Sequence, residues 1–363
     1  MLNFAIIGCG RIASKIVDGI ISNSEKAKLV AVCDILEDKM QQIKNRYIEK
    51  SNVLDEVIEV SDYKKVLDKV KIDVAIISTE SGYHEEIGLY FLENGVNLII
   101  EKPLAMSIEG AQKLVDTAKK NNLKLAASHQ NRFNYPIQLL KKAIKENRLG
   151  RIFNGMARIL WTRDDNYYLQ APWRGTWALD GGTLMNQCIH NIDLINWMMD
   201  DEIDTVYAQT SNYIRNIEAE DYGVILIRYK SGKIATIEGS AIVYPKNLEE
   251  TLTITGEKGT VVIGGMAVNK INTWRVEGDN EQEYLSIDCG DPNSVYGYGH
   301  EALYKDFIEA IEENREPLVN GVAGLNAVKI ILAAYKSQKT GEAIKFEEFN
   351  EFSTNDMKEV NIK

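Results

Sequence analysis

From residue 1 to about 128, short apolar runs alternate with amphipathic stretches, the rhythm of strands joined by crossover helices. The runs occupy residues 4–7, 29–33, 74–77, 96–100 and 123–127. Buried parallel strands with helices packed over them are expected from such runs. One helix shows the local logic. Ser107 precedes Ile108, Ala111, Leu114, Val115 and Ala118, apolar at three- to four-residue spacing, and Asn121-Asn122 close it. After a helix expected over 136–149, ended by Gly150, the pattern changes. A long helix over 182–199 leads into extended segments rich in Val, Ile, Thr and Tyr. Residues 221–229 and 233–244, joined at Ser231-Gly232, read as an antiparallel hairpin. Strands at 250–255 and 260–263 and helices at 301–313 and 322–339 follow. The pattern predicts an α/β domain over 1–128, built on a doubly wound parallel sheet, and an α+β domain over 129–363 with a large, open, mainly antiparallel sheet.

Composition bears on partners. Lys and Arg number 42 against 53 Asp and Glu, a net charge of −11, and no basic run occurs. That argues against nucleic-acid and anionic-membrane binding, so an anionic ligand must meet a local basic pocket. Cys9, Cys33, Cys188 and Cys289 are scattered without a Cys-x-x-Cys pair, which points to a reduced cytoplasmic protein without a zinc site. No run approaches a membrane span, and the N-terminal apolar run over 2–9 is too short for a secretion signal.

Gly8-Cys9-Gly10-Arg11-Ile12-Ala13 follows the first strand and opens the first helix, as a dinucleotide-binding Gly-x-Gly-x-x-Ala turn does. Asp34, at the end of the second run, is placed to accept from the adenosine ribose hydroxyls and to repel a 2′-phosphate. Glu101-Lys102-Pro103 ends the run at 96–100, on the carboxyl edge where open α/β sheets bind ligands; there the ammonium of Lys102 could meet a reacting hydroxyl. Asn186, His190, Asp193 and Trp197 recur at helical spacing along one face. His190 is an acid/base candidate with Asn186 as its hydrogen-bonding neighbour, or a structural histidine. Trp161, Tyr167, Tyr168, Trp173 and Trp177 crowd a loop that also holds Arg163 and Arg174, and read as a sugar-nucleotide loop or an oligomer contact. His84, His129 and His300 fall in separate segments, so no metal is expected. Neither a Gly-x-Ser-x-Gly elbow nor a Walker loop supports hydrolysis by serine or phosphoryl transfer.

Taken together, these residues resemble the Gfo/Idh/MocA oxidoreductase family over nearly the whole chain. The Gly-x-Gly-x-x-Ala turn, Glu101-Lys102-Pro103 and the Gly181-Gly182 helix with His190 stand in the family's order, with Asn186 in place of its usual aspartate. Ser128-His129-Gln130-Asn131-Arg132-Phe133, Ala171-Pro172-Trp173-Arg174-Gly175-Thr176-Trp177, Met185-Asn186-Gln187, Tyr244-Pro245-Lys246-Asn247-Leu248-Glu249 and Tyr296-Gly297-Tyr298-Gly299-His300 resemble more narrowly the family's UDP-N-acetylglucosaminuronate 3-dehydrogenases. The resemblance implies a Rossmann domain holding NAD through Gly8, Gly10, Arg11, Ile12, Asp34, Thr79, His84, Glu101, Lys102, Gln130, Trp173 and Arg174. It implies catalysis by Lys102 and His190. A nucleotide sugar would meet Lys102, Asn131, Arg132, Asn186, Gln187, His190, Tyr244, Lys246, Asn247 and His300, with Arg132 and the Lys246-Asn247 pair as candidates for a uronate carboxylate. It further implies oxidation at C3′, 2-oxoglutarate as a candidate reoxidant, and a homo-dimer or homo-tetramer paired through the open sheet. An NAD-dependent glycosidase of the same fold, a dehydrogenase of UDP-N-acetylglucosamine or of a free sugar or inositol, and a non-catalytic NAD-binding subunit stay open.

Overall fold

The computed structural model describes residues 1–51, 56–290, 297 and 299–362. By its internal contacts the chain divides into two units, Met1–Ser128 with His300–Leu325, and His129–Gly299 with Asn326–Lys363.

The first unit is built on six parallel strands: β1 (Leu2–Ile7), β2 (Ala27–Cys33), β3 (Ile58–Val60), β4 (Val74–Ile77), β5 (Asn97–Ile100) and β6 (Leu125–Ala127), in the spatial order β3-β2-β1-β4-β5-β6. The five expected runs are strands, and β3 is an addition that three residues of mixed polarity did not announce. The order reverses between β1 and β4, the switch point at which such sheets bind ligands beyond their carboxyl ends. Ser107 caps the helix Ile108–Lys120 as expected, its hydroxyl accepting from Gly110 N at 2.9 Å. By contacts, 300–325 groups with the first unit, whereas the sequence reading gave all of 129–363 to one domain. Val319 O accepts from Ala127 N at 3.2 Å, Asn320 bridges to Ala126, and Tyr304 packs its ring onto Gly19 of the helix Ala13–Ile21. These contacts bury the otherwise open side of β6 and of that helix, which no local pattern encodes.

The second unit holds eight strands: β7 (Ile152–Leu160), β8 (Ile203–Ser211), β9 (Tyr222–Tyr229), β10 (Ile234–Ser240), β11 (Glu249–Gly256), β12 (Gly259–Gly264), β13 (Lys270–Val276) and β14 (Ile344–Lys345), in the order β13-β12-β11-β7-β10-β9-β8-β14. All pairs are antiparallel except β7 with β10. Alternate residues such as Ala157, Ile159, Ile225, Ile227, Ile237, Leu252 and Ile254 are fully buried, against the helix Ile189–Met199 among others. The opposite face is open, and Tyr207, Leu226, Thr236, Met156, Thr253 and Val262 form one cross-strand row on it.

Two expected helices are shorter than their patterns. The helix at 136–149 is Tyr135–Lys145, because Asn147 and Gly150 take positive φ. The helix at 182–199 is two, Thr183–Asn186 and Ile189–Met199: Gln187 N and Cys188 N both donate to Thr183 O, so the turn widens and the hydrogen-bond ladder restarts.

Gly19 tests the packing of the returning segment. A Cβ there would stand 2.2 Å from the fully buried ring of Tyr304. Alanine would gain about 1 kcal/mol of helix propensity, while overpacking costs about 1–3 kcal/mol. Gly19→Ala is expected to lower the urea midpoint at unchanged slope. A raised midpoint would mean that Tyr304 does not press on this helix.

Candidate active site

At the carboxyl edge of the first sheet, Gly8 takes φ +96°, and a Cβ on it would lie 2.6 Å from the Ser78 carbonyl, so the turn admits only glycine. Gly10 faces open space, where a Cβ would meet no atom of the chain; that is the cradle a pyrophosphate needs. Asp34 is anchored beside it, its Oδ2 accepting from Cys9 N at 2.7 Å and its Oδ1 from Leu36 N at 2.9 Å. Exposed Arg11 and half-buried Ile12 follow the turn. Open backbone at Gly10 and a carboxylate held at Asp34 fit a dinucleotide with an unsubstituted ribose diol.

Glu101 is 9% exposed and burial raises its carboxyl pKa, against the opposing pull of Lys102 and the Ser128 hydroxyl. Lys102 is half-buried between Glu101 and Pro103. His84, expected at the cofactor, is buried with Nδ1 2.7 Å from Pro103 O and Nε2 3.2 Å from Thr79 O. Burial pushes its pKa down despite those two carbonyls, and the charge of Lys102 adds to the shift. His84 therefore ties the loop after β4, with half-buried Thr79, to the loop carrying Lys102. His300 is likewise interior, in the first turn of Gly299–Glu312, its pKa pushed down to about 4 by burial and by the charge of Lys15.

In the second unit a hydrogen-bonded chain links residues that the sequence singled out separately. Asn186 Nδ2 donates to Asp180, Gln187 Nε2 donates to Asn186 Oδ1 at 2.6 Å and to the Tyr167 oxygen at 3.0 Å, and Arg174 Nη1 donates to that oxygen at 2.5 Å. Arg174 stacks on Tyr167 and Trp173, and Arg163 on Trp161 and Tyr167, at 4.3–5.3 Å from the ring centres. Asn247 joins this loop through Thr162 N at 3.0 Å; Lys246 is exposed, and Tyr244, 93% exposed, points to solvent. The rings of His190 and His129 meet edge-on at 5.6 Å. Gln130 and Asn131 are buried nearby in sequence, on the turn Gln130–Phe133, and Asn131 Oδ1 has no hydrogen-bond partner among the described residues.

Arg132, a candidate for a uronate carboxylate, has an internal partner. It is 6% exposed, bonded to both carboxylate oxygens of Asp193 at 2.7 and 2.6 Å, and lies over the Trp197 ring at 4.9 Å. A guanidinium so neutralised is a buried strut, not a cation for a uronate. Tyr296 and Tyr298 lie outside the described residues. Sequence reasoning missed Asp180, although it directly precedes Gly181-Gly182. It also missed Glu220, whose Oε1 accepts from Leu184 N at 2.8 Å and from Tyr335 OH at 3.0 Å; those partners are far apart in sequence and leave no local signal. No cluster of metal-ligating side chains occurs among the described residues, and no helix is long and apolar enough to cross a membrane.

Residues 2–129 match the oxidoreductase-family NAD-binding Rossmann fold of the Gfo/Idh/MocA group, and residues 141–346 match its C-terminal alpha/beta domain. The chain belongs to the Gfo/Idh/MocA oxidoreductase family. The WlbA dehydrogenase of Bordetella pertussis, in complex with NADH and UDP-GlcNAcA, is 32% identical with a TM-score of 0.84 over 95% of this chain and 97% of that one. The WlbA dehydrogenase of Chromobacterium violaceum, in complex with the same two molecules, is 33% identical with a TM-score of 0.85 over 95% of each chain. Myo-inositol 2-dehydrogenase of Thermotoga maritima is 24% identical over 96% of this chain and 99% of its own. This Gfo/Idh/MocA protein is an NAD-dependent oxidoreductase of the sugar and polyol class.

The buried acids of the second unit set a stability profile for this oxidoreductase. Burial pushes Glu220 up to about 8 against the pull of Leu184 N and the Tyr335 hydroxyl, and pushes Glu250 up to about 8 against the pull of the Asn191 amide and the charge of Arg163. Their ordinary value is 4.5, so between there and about 8 the folded chain holds protons that the unfolded chain has released. Their stabilising contribution is complete below that ordinary value and is lost as pH rises through about 8. His300 is neutral in both states above its ordinary 6.5 and adds nothing in the upper part of this window. Thermal midpoints between about pH 6.5 and 8 are expected to fall, and to fall less steeply in Glu220→Gln and Glu250→Gln. Equal slopes in all three proteins would mean both carboxylates are ionised in the fold.

Proposed function

We propose that the enzyme oxidises the C3′ hydroxyl of a UDP-linked N-acetylhexosamine to the 3-keto sugar, with UDP-N-acetylglucosaminuronate as the preferred substrate. The observation that carries this reading is the Arg163 and Arg174 pair, stacked on Trp161, Tyr167 and Trp173, with no carboxylate at salt-bridge distance among the described residues. In a chain of net charge −11, two cations without a salt bridge on aromatic planes suit a ligand that is both anionic and ring-bearing, as a nucleotide sugar is at Arg163 and as NAD is, by resemblance, at Trp173 and Arg174. The similarity to two WlbA structures holding UDP-GlcNAcA supports the same choice.

Oxidation of a secondary alcohol removes a hydride and a proton, and NAD, when bound, supplies the hydride acceptor. The proton falls to this chain. Lys102 and His190 are the two candidates to take it, whereas Asn186 orients and cannot ionise. Asn131, whose carbonyl oxygen is buried and without a partner among the described residues, is the further group poised to accept from a sugar hydroxyl or amide. With Arg132 committed to Asp193, the cation left from the sequence reading for a C6′ carboxylate is Lys246.

The test is mass spectrometry of UDP-N-acetylglucosaminuronate, UDP-N-acetylglucosamine and myo-inositol, each incubated with enzyme and NAD, with and without 2-oxoglutarate. The uronate is expected to give the keto product fastest. Lys102→Ala and His190→Ala should each lower turnover about 10² to 10⁴-fold while still binding NAD. Inositol turned over with both UDP sugars untouched would sink the reading.

The row of exposed Tyr207, Leu226 and Met156 with half-buried Thr236, Thr253 and Val262 further supports a homo-oligomer paired face to face through the open sheet. Light scattering should find a dimer or tetramer, and Leu226→Lys should dissociate it. A monomeric wild type would remove this proposal.

A further inference from the structure

The hydrogen-bonded chain at Asp180 has a direction, and the direction ends on a proton with nowhere to go inside the protein. Asp180 is 2% exposed, and a carboxylate only accepts. Its Oδ2 takes the Gly175 N–H at 2.7 Å, and its Oδ1 takes the Asn186 amide nitrogen. That fixes which end of the Asn186 amide is oxygen: Oδ1 must face Gln187, and Gln187 must answer with its NH₂ at 2.6 Å. The same NH₂ donates its other hydrogen to the Tyr167 oxygen at 3.0 Å. Arg174, which has no acceptor in its side chain, donates to that oxygen from the other side at 2.5 Å. A phenol oxygen has two lone pairs, and both are now occupied. Its own hydrogen must point away from these partners, and no described residue accepts it.

We infer that Tyr167 is a substrate-binding residue whose hydroxyl donates to an oxyanion oxygen of the nucleotide sugar, a phosphate or the uronate carboxylate. The inference rests on the function proposed above and extends it to a group the sequence reading used only as an aromatic plane. Three features agree with it. Burial raises the Tyr167 pKa above its ordinary 10, so the proton is present at neutral pH. Two guanidiniums lie over the ring, at 4.3 and 5.3 Å from its centre, where an oxyanion is stabilised by charge. And the amide at 186 acquires a reason: an ionised aspartate there could still accept from Gln187 but could not donate to Asp180, so the link between Asp180 and Gln187 would be lost.

Tyr167→Phe removes the O–H and keeps the ring. Dissociation constants by calorimetry for UDP, UDP-N-acetylglucosamine, UDP-N-acetylglucosaminuronate and NAD, with the thermal midpoint as folding control, read the effect. The variant is expected to bind about 10- to 100-fold more weakly, the range of a hydrogen bond to a charged acceptor, with NAD affinity retained. In turnover, KM should rise with kcat little changed, because the bond is made in the ground state as well. Loss on all three ligands identifies a phosphate oxygen, and loss confined to the uronate identifies the carboxylate; either supports the inference. Unchanged affinities in the variant, with wild type binding normally, overturn the inference and leave the proposed function standing. Wild type binding none of the three overturns both.

Discussion

The parallel register of the first sheet is the constraint on which its half of the site depends. Ile7 pairs with Cys33 and Ile77, Ile77 with Ile100, and Ile100 with Ala127, so five strands end on one line. The ladder runs one residue further: Gly8 N reaches Cys33 O, Ser78 N reaches Ile7 O, Glu101 N reaches Ile77 O and Ser128 N reaches Ile100 O, all at 2.7–2.9 Å. Because these strands are covered on both faces, a slip of one residue would move fully buried Val, Ile and Leu side chains out of their packing. Motifs separated by dozens of residues are thus delivered to one edge by hydrocarbon packing. The glycine turn, Asp34, the His84 strut and Lys102 all inherit that edge.

The second unit is organised differently, by buried polar groups that must be paired. Asp221 accepts from three successive backbone N–H groups, Tyr213, Ile214 and Arg215, each at 2.9 Å. Glu220 holds Leu184 N and Tyr335 OH, and Asp193 holds Arg132. Leaving any one of these buried groups unpaired costs about 1–3 kcal/mol, more for a charge, so each pins a loop to one geometry. Glu220 does this at the start of the segment carrying Asn186 and His190, and Arg132 does it between the Gln130–Phe133 turn and the Ile189–Met199 helix. The pairing that makes Arg132 a good strut is the same pairing that removes its charge from ligand binding.

What was legible in the sequence was local. The Gly-x-Gly-x-x-Ala turn, the Ser107 cap and the Val–Ile runs each carry their cause within a few residues, and each stands where the pattern put it. The break at Gln187–Cys188 was not legible, because its residues keep a helical period; what interrupts the ladder is the double claim on Thr183 O. Nor was the return of 300–325 to the first unit, since Tyr304 finds Gly19 across some 285 residues of chain. The internal partners of Arg132 and His84 were not legible for a related reason. Residue type announces what a side chain can bind, but only the fold shows that Asp193, Pro103 and Thr79 have already claimed it.

Asn186 is where local and long-range information meet. Read alone, it is a departure from the family's aspartate that subtracts an ionisable group. Set between Asp180 and Gln187, it is the residue type the neighbours require, because only a side chain that donates at one end and accepts at the other can join a carboxylate to an amide donor. An aspartate at 186 would place two carboxylates against each other, and they could coexist only by sharing a proton. The amide makes the same contact without one. Hydrogen-bond direction in this cluster is therefore set by Asp180 from one end and by Arg174 from the other, and both charges push donors toward Tyr167.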